Sequence, residues 1–140
     1  MVKLILVRGL PGSGKTTFAM KKKYLLRDAG ENVVTIAADD FMVDSQGAYR
    51  YNPSRLRECH SACFRFTELM LVDGFTVIVH NTFTRVQAEM QNYINLANRL
   101  EIPLEVIRMT TQYRSVHNVP ADVMKTMKDR FQDYPGEIYV

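Results

Sequence analysis

The sequence predicts an α/β protein of three layers, αβα, with a mostly parallel sheet of four to five strands between helices. Three observations carry this. Short aliphatic runs alternate with longer helical segments along all 140 residues. The runs are apolar at successive positions, as in strands buried on both faces. Polar segments follow their carboxyl ends, where ligands gather in such sheets.

The elements follow in order. Lys3–Val7 is a buried strand, and residues 15–28 read as a helix closed by Gly30. Val33–Ala37 is a second strand with Asp39-Asp40 just beyond it. Residues 42–51, with Asp44, Ser45, Gln46 and Gly47, read as a loop. Asn52-Pro53 gives an N-cap and a first-turn proline for a helix running to about Val72 and stopping at Gly74. Phe75–Val79 is a third strand. Thr84 with Gln87 fits a capping box opening a helix to about Leu100. Ile102–Met109 is a fourth strand, 110–119 a polar loop, and Pro120 starts a last helix reaching about Tyr134 before Pro135-Gly136. Strands separated by helices imply a parallel sheet with right-handed crossovers. There is no internal repeat, low-complexity tract or linker, so residues 1–140 are expected to form one domain.

Composition narrows the class. Hydrophobic residues make up 46%, enough for a core, and no apolar run reaches the roughly 20 residues of a membrane span. The apolar start, Met1–Val7, is too short for a signal peptide. The two cysteines, Cys59 and Cys63, are too few for a disulfide framework, so a cytoplasmic location is expected. With His60 they make a poor metal set, and core packing is the favoured reading. The net charge of +3 is too mild to announce a nucleic-acid partner.

Gly9-Leu10-Pro11-Gly12-Ser13-Gly14-Lys15-Thr16 fits the P-loop pattern without mismatch, and Thr17 continues it. Glycines let successive backbone amides turn inward toward phosphate oxygens, and the helix that follows presents its positive end. Lys15 is placed to reach the β- and γ-phosphates, and Thr16 to offer its hydroxyl to magnesium. The expected cofactors are therefore ATP and Mg2+. The three lysines Lys21, Lys22 and Lys23 point in different directions on a helix and read as solvated surface.

Three P-loop classes compete. No Asn/Thr-Lys-x-Asp guanine signature marks a GTPase. The third strand ends Val77-Ile78-Val79-His80-Asn81, without the acid of a motor ATPase. A small kinase remains, with Asp39-Asp40 as positive evidence. A carboxylate can orient an acceptor hydroxyl and take its proton during phosphoryl transfer. Asp39 is preferred as that base because it leaves the strand first; a loop cap or a magnesium partner is the other role for the pair, so Asp40 is a metal candidate. Arg114, in a loop with Gln112, Ser115, His117 and Asn118, is placed to stabilise the moving phosphoryl group, the alternative being an exposed loop arginine. Arg108 reads as an outward-facing strand residue, a place at the base of the lid being the alternative.

With these residues in view, the chain resembles the kinase domain of polynucleotide 5′-hydroxyl kinases, as in the bacteriophage end-healing enzyme. It is similar also to short bacterial and phage ATP-binding relatives and to the kinase domain of a large eukaryotic ubiquitin-ligase-binding protein. Beyond the P-loop, the shared stretches are Asp39-Asp40-Phe41, Gly47-Ala48-Tyr49-Arg50-Tyr51-Asn52-Pro53, Asn81-Thr82, and Arg114 with His117-Asn118-Val119-Pro120. They occur in the same order and cover nearly the whole chain. The resemblance implies Asp39 as general base, Arg114 as lid arginine, Lys15 and Thr16 as phosphate and metal contacts, and Asn81 and Thr82 beside the acceptor. Two departures stand out. Met42 occupies the place where the phage kinase has a basic residue for the acceptor's phosphate, with Arg50 or Arg55 as candidate substitutes. His80-Asn81 replaces an aspartate of the relatives. The chain ends soon after the lid helix, so a bare kinase without a phosphatase domain is expected.

The leading expectation is a kinase for the 5′-hydroxyl of RNA or DNA, a nucleic-acid 5′ end being its partner. Phe41, Tyr49, Tyr51 and Phe83 are candidates for stacking on a base. A kinase for a small hydroxylated molecule needs the same loop, base and lid. A nucleotide-binding module without transfer is the third reading, motivated by His80-Asn81.

Overall fold

The computed structural model describes residues 1–113 and 119–140. Five strands, β1 (Leu4–Arg8), β2 (Val33–Ile36), β3 (Thr76–Asn81), β4 (Leu104–Arg108) and β5 (Ile138–Tyr139), form one sheet in the order β2-β3-β1-β4-β5. Every neighbouring pair is parallel. The helices α1 (Lys15–Asp28), α2 (Leu56–Val72), α3 (Gln91–Leu100) and α4 (Ala121–Asp129) complete a three-layer α/β fold.

Side chains of a strand alternate between faces, and the two halves of the core follow that period. Leu4, Leu6, Val77, Val79 and Val106 pack with Cys59, Cys63 and Leu71 of α2 and with Tyr93, Leu96 and Ala97 of α3. Ile5, Val7, Ile78 and Ile107 pack on the other side with Ala19 of α1. Both cysteines are free and buried, while His60 is exposed. β1 is therefore central and covered on both faces, which places its carboxyl end, and the loop that follows, in the middle of one rim of the sheet.

Several boundaries differ from the sequence expectation for local reasons. The fourth strand starts two residues late, because Glu101 takes a left-handed backbone and the Ile102 N–H still bonds to Ala97 O of α3 at 3.1 Å. The capping box at Thr84 uses Glu89, not Gln87. The Thr84 hydroxyl and the Arg85 N–H both donate to Glu89 Oε2, because the helix opens with a wide π-type turn over Val86–Met90. The last helix stops at Asp129 rather than near Tyr134. Beyond it, Phe131 stacks between Arg8 and Arg108, each guanidinium 4.5 Å from its ring centre, and the Gln132 N–H bonds to Thr84 O. The segment then returns as β5, an element the sequence reading did not assign.

Candidate functional site

The turn between β1 and α1 is shaped by glycine. Gly12 and Gly14 adopt left-handed backbone, φ 84° and 88°. At Gly9 a β-carbon would lie 2.5 Å from Ser13 Oγ and 3.0 Å from Met109 Cβ, so a side chain there would force both neighbours to shift. The loop is braced from behind. The Tyr113 N–H donates to Gly12 O, Gln112 Nε2 to Pro11 O, and the Gly9 N–H to Thr82 O. α1 has no capping side chain and no acid in its first turn. Its free N–H groups and positive end are thus left for an external anion.

Lys15 folds over this turn, its Nζ donating to Leu10 O at 3.0 Å. Burial pulls the ammonium down to about 8, and the carboxylate of Asp39 opposes the fall. The Lys15 ammonium therefore feels the Asp39 carboxylate, and both stand at the carboxyl rim of the sheet. Thr16 and Thr17, in the first turn of α1, are exposed, and the Ser13 hydroxyl is buried without a hydrogen-bond partner among the described residues.

Asp39 and Asp40 lie on a short 3-10 turn, Ala38–Phe41, after β2. Their roles diverge in the geometry. Asp40 Oδ2 accepts the Ala37 N–H at 2.9 Å and caps its own turn. Asp39 is exposed, and its carboxylate has no hydrogen-bond partner among the described residues. The turn is held from three sides. Asn81 Oδ1 accepts the Ala38 N–H at 2.9 Å while Nδ2 donates to Cys63 Sγ. Met42 is fully buried beside Cys59, and Arg55 donates to Phe41 O and Val43 O.

The structure brings Gly9–Thr17, Lys15, Asp39, Asp40, Asn81 and Thr82 to one rim of the sheet. Asn81 is buried with its amide engaged, and Thr82 contributes its carbonyl to Gly9. Arg50 is exposed on the stretch after the Asp44–Ala48 turn, and Arg55 is engaged by Glu58 as well as by the two carbonyls. Arg114 lies outside the described residues, as do Ser115, His117 and Asn118. Of the four stacking candidates, Phe41 packs edge-on against Phe66, and Phe83 is buried against Tyr93. Tyr49 and Tyr51 are more than half exposed. Burial first, then the charges of Asp39 and Tyr51, push the Tyr49 phenol up, which places it beside the acid turn.

The sequence singled out His80 only as the replacement of an acid, and it gave Arg8 no role. His80, the penultimate residue of β3, has its Nδ1 3.5 Å from Thr16 Oγ1. Burial, aided by Lys15, pulls its imidazole down against the pull of Asp40 and Asp39. Arg8, the last residue of β1, is fully buried. It donates to Phe83 O and pairs with Glu137 Oε1 at 2.8 Å. Arg108 joins Glu137 and Asp133 instead of facing outward. The signal for this cluster was an arginine inside an otherwise aliphatic strand.

A cleft of about 840 Å³ opens on the other side of the turn, lined by Leu10, Ser13, Met109, Thr111, Met124 and Lys128 among others. A hollow of about 430 Å³ at Met1, Glu31 and Pro103 involves none of these groups. Among the described residues no three His, Cys, Asp or Glu side chains converge to hold a metal ion. Among them, too, no helix is long and apolar enough to cross a membrane.

The chain matches the AAA domain family over residues 4–134. Among solved structures, Chaetomium thermophilum Kti12 in complex with ADP-AlF3 superposes with a TM-score of 0.72 at 16% identity, covering 98% of this chain and 88% of that one. The Pnkp1/Rnl/Hen1 RNA repair complex gives 0.70 at 18% identity, covering 93% of this chain and 44% of its own. Mycobacterium tuberculosis APS kinase CysC in complex with AMPPNP and APS gives 0.64 at 16% identity, covering 89% and 67%. Identities this low show a shared fold, that of P-loop kinases.

Proposed function

The chain belongs to the AAA domain family, and from that premise we propose that it is an ATP-dependent phosphotransferase with an alcohol acceptor. One observation carries the reading: Lys15, inside an anion-ready turn, lies within electrostatic reach of the Asp39 carboxylate, which is exposed and has no hydrogen-bond partner among the described residues. An anion binds the amides and Lys15 on one side, and an alcohol meets a base on the other. In the transfer the acceptor oxygen forms a bond to the γ-phosphorus, the bond from that phosphorus to the β–γ bridging oxygen breaks, and the hydroxyl proton passes to Asp39. Lys15 and the amides take up the charge that develops on the phosphates. The cleft lined by Leu10 and Met109 is large enough for the nucleoside.

The donor set suits magnesium. Thr16 offers an exposed hydroxyl, a hard oxygen ligand of the kind that ion prefers, and the nucleotide's phosphates bring more. Among the described residues no protein cage is preformed, and Thr16 would hold an ion that arrives with the nucleotide. Bound there, magnesium supplies neutralisation of the β- and γ-phosphate charge.

The finer reading is a polynucleotide 5′-hydroxyl kinase. It is supported by the order of motifs along the chain and by Tyr49, exposed beside Asp39, with the exposed Arg50 and Tyr51 following it in the chain. Burial of Met42 favours a second reading, a kinase for a small alcohol, since that position offers no cation to an acceptor phosphate.

The test is γ-labelled ATP with magnesium and a panel of acceptors. Label on 5′-hydroxyl oligonucleotides is expected, and label on metabolites alone selects the second reading. Tight ATP binding with no acceptor labelled refutes transfer. Asp39→Asn is expected to retain ATP affinity and to lose at least ~100-fold in turnover; near-normal turnover removes Asp39 as the base.

A further inference from the structure

His80 stands where the two halves of the proposed site meet, and the reading above gives it no task. In the parallel register it lies beside Val7, two residues before the glycine turn. Its half-buried ring is close to Lys15, Asp39 and Asp40 as well as to Thr16. A histidine kept for packing has its ring enclosed or its nitrogens satisfied. Here Nδ1 has only Thr16 Oγ1, at the long distance of 3.5 Å, and the other nitrogen has no partner among the described residues.

That spacing has a use. Two donors bound side by side to one octahedral cation, each about 2.1 Å from it, stand about 3.0 Å apart. Thr16 Oγ1 and His80 Nδ1 need close by only about half an ångström to share an ion. Oxygen donors suit both Mg2+ and Mn2+, but a transition ion such as Mn2+ accepts an imidazole nitrogen more readily than Mg2+ does. An acid at this place would add charge and oxygen, and His80 adds neither.

We propose that His80 joins Thr16 as a direct ligand of the divalent cation that accompanies the nucleotide, and thereby shifts the cation preference from Mg2+ toward transition ions such as Mn2+. The proposal rests on the nucleotide-binding reading of the P-loop. Asp40, with one oxygen on Ala37 N–H, keeps its place as turn cap, and Asp39 stays free for the acceptor.

The experiment compares the full chain with His80→Ala and His80→Asp. ADP affinity is measured by calorimetry without metal, with Mg2+ and with Mn2+, and pulsed EPR of the Mn2+·ADP complex reads nitrogen coupling to the ion. Thermal melts of all three proteins establish that they are folded. The expected result is imidazole nitrogen coupling that disappears in both variants. The Mn2+-over-Mg2+ preference should fall by at least ~10-fold, the scale of a lost metal-site group, and His80→Asp should favour Mg2+ most. Absence of nitrogen coupling in the unaltered chain, its persistence in His80→Ala, or an unchanged preference in both folded variants overturns the proposal while leaving nucleotide binding intact. Failure of the unaltered chain to bind ADP under any condition overturns the P-loop reading and this inference with it.

Discussion

Replacing Lys15 by methionine should make the empty protein more stable while abolishing its response to nucleotide. The Lys15 amine descends from 10.5 to about 8 because burial disfavours its charge, the attraction of Asp39 only partly compensating. At about 1.36 kcal/mol per pKa unit, the charged amine destabilises the empty fold by about 3 kcal/mol. Methionine removes that charge and also the hydrogen bond to Leu10 O, worth about 1 kcal/mol. The net gain is about 2 kcal/mol at pH 7, or about 6 °C in melting temperature for a chain of this length. The sign of the pH dependence follows. Between pH 8 and 10.5 the unfolded chain holds a proton on Lys15 that the folded chain has released, so the unaltered protein gains stability as pH rises and the gap to Lys15→Met closes. Added ATP should reverse the order at pH 7, because only the unaltered protein is stabilised by mass action. Calorimetric melts with and without ATP from pH 7 to 10.5 decide the matter. A Lys15→Met variant that melts below the unaltered protein at pH 7 without nucleotide refutes the claim that the loop stores electrostatic strain for a phosphate.

Glu137→Ala leaves the fully buried Arg8 guanidinium without its anion. The expected loss is about 3–5 kcal/mol, read as a lower urea midpoint, and a loss under about 1 kcal/mol contradicts the buried-pair account. Gly9→Ala forces a β-carbon against Ser13 Oγ and Met109 Cβ. It should cost about 1–3 kcal/mol and weaken ADP binding in calorimetry, and normal affinity means the turn tolerates the displacement.

What the sequence disclosed depended on how far apart the cooperating residues lie. The P-loop is legible because its glycines, its lysine and the helix that follows are consecutive, so the pattern and the geometry are one local fact. The parallel sheet is legible for a similar reason: unbroken apolar runs such as Leu4–Val7 admit few partners other than helices on both faces. Asp39 and Asp40 were legible as a pair, with Asp39 preferred as base only by its place at the strand end, and which of them caps the turn was not legible. The carboxylate that caps the turn is chosen by the Ala37 N–H, and the turn itself is pinned by Asn81 from another strand. The C-terminal clasp was illegible because Arg8 and Glu137 are 129 positions apart. Burying that pair fixes more than the sheet edge. Arg8 immediately precedes Gly9, and its guanidinium also grips the carbonyl of Phe83, one residue after the Thr82 carbonyl that holds the Gly9 N–H. The floor of the phosphate turn is therefore set by a contact from the far end of the chain. Damage at Glu137 should consequently reach nucleotide affinity as well as stability, although no atom of Glu137 belongs to the turn.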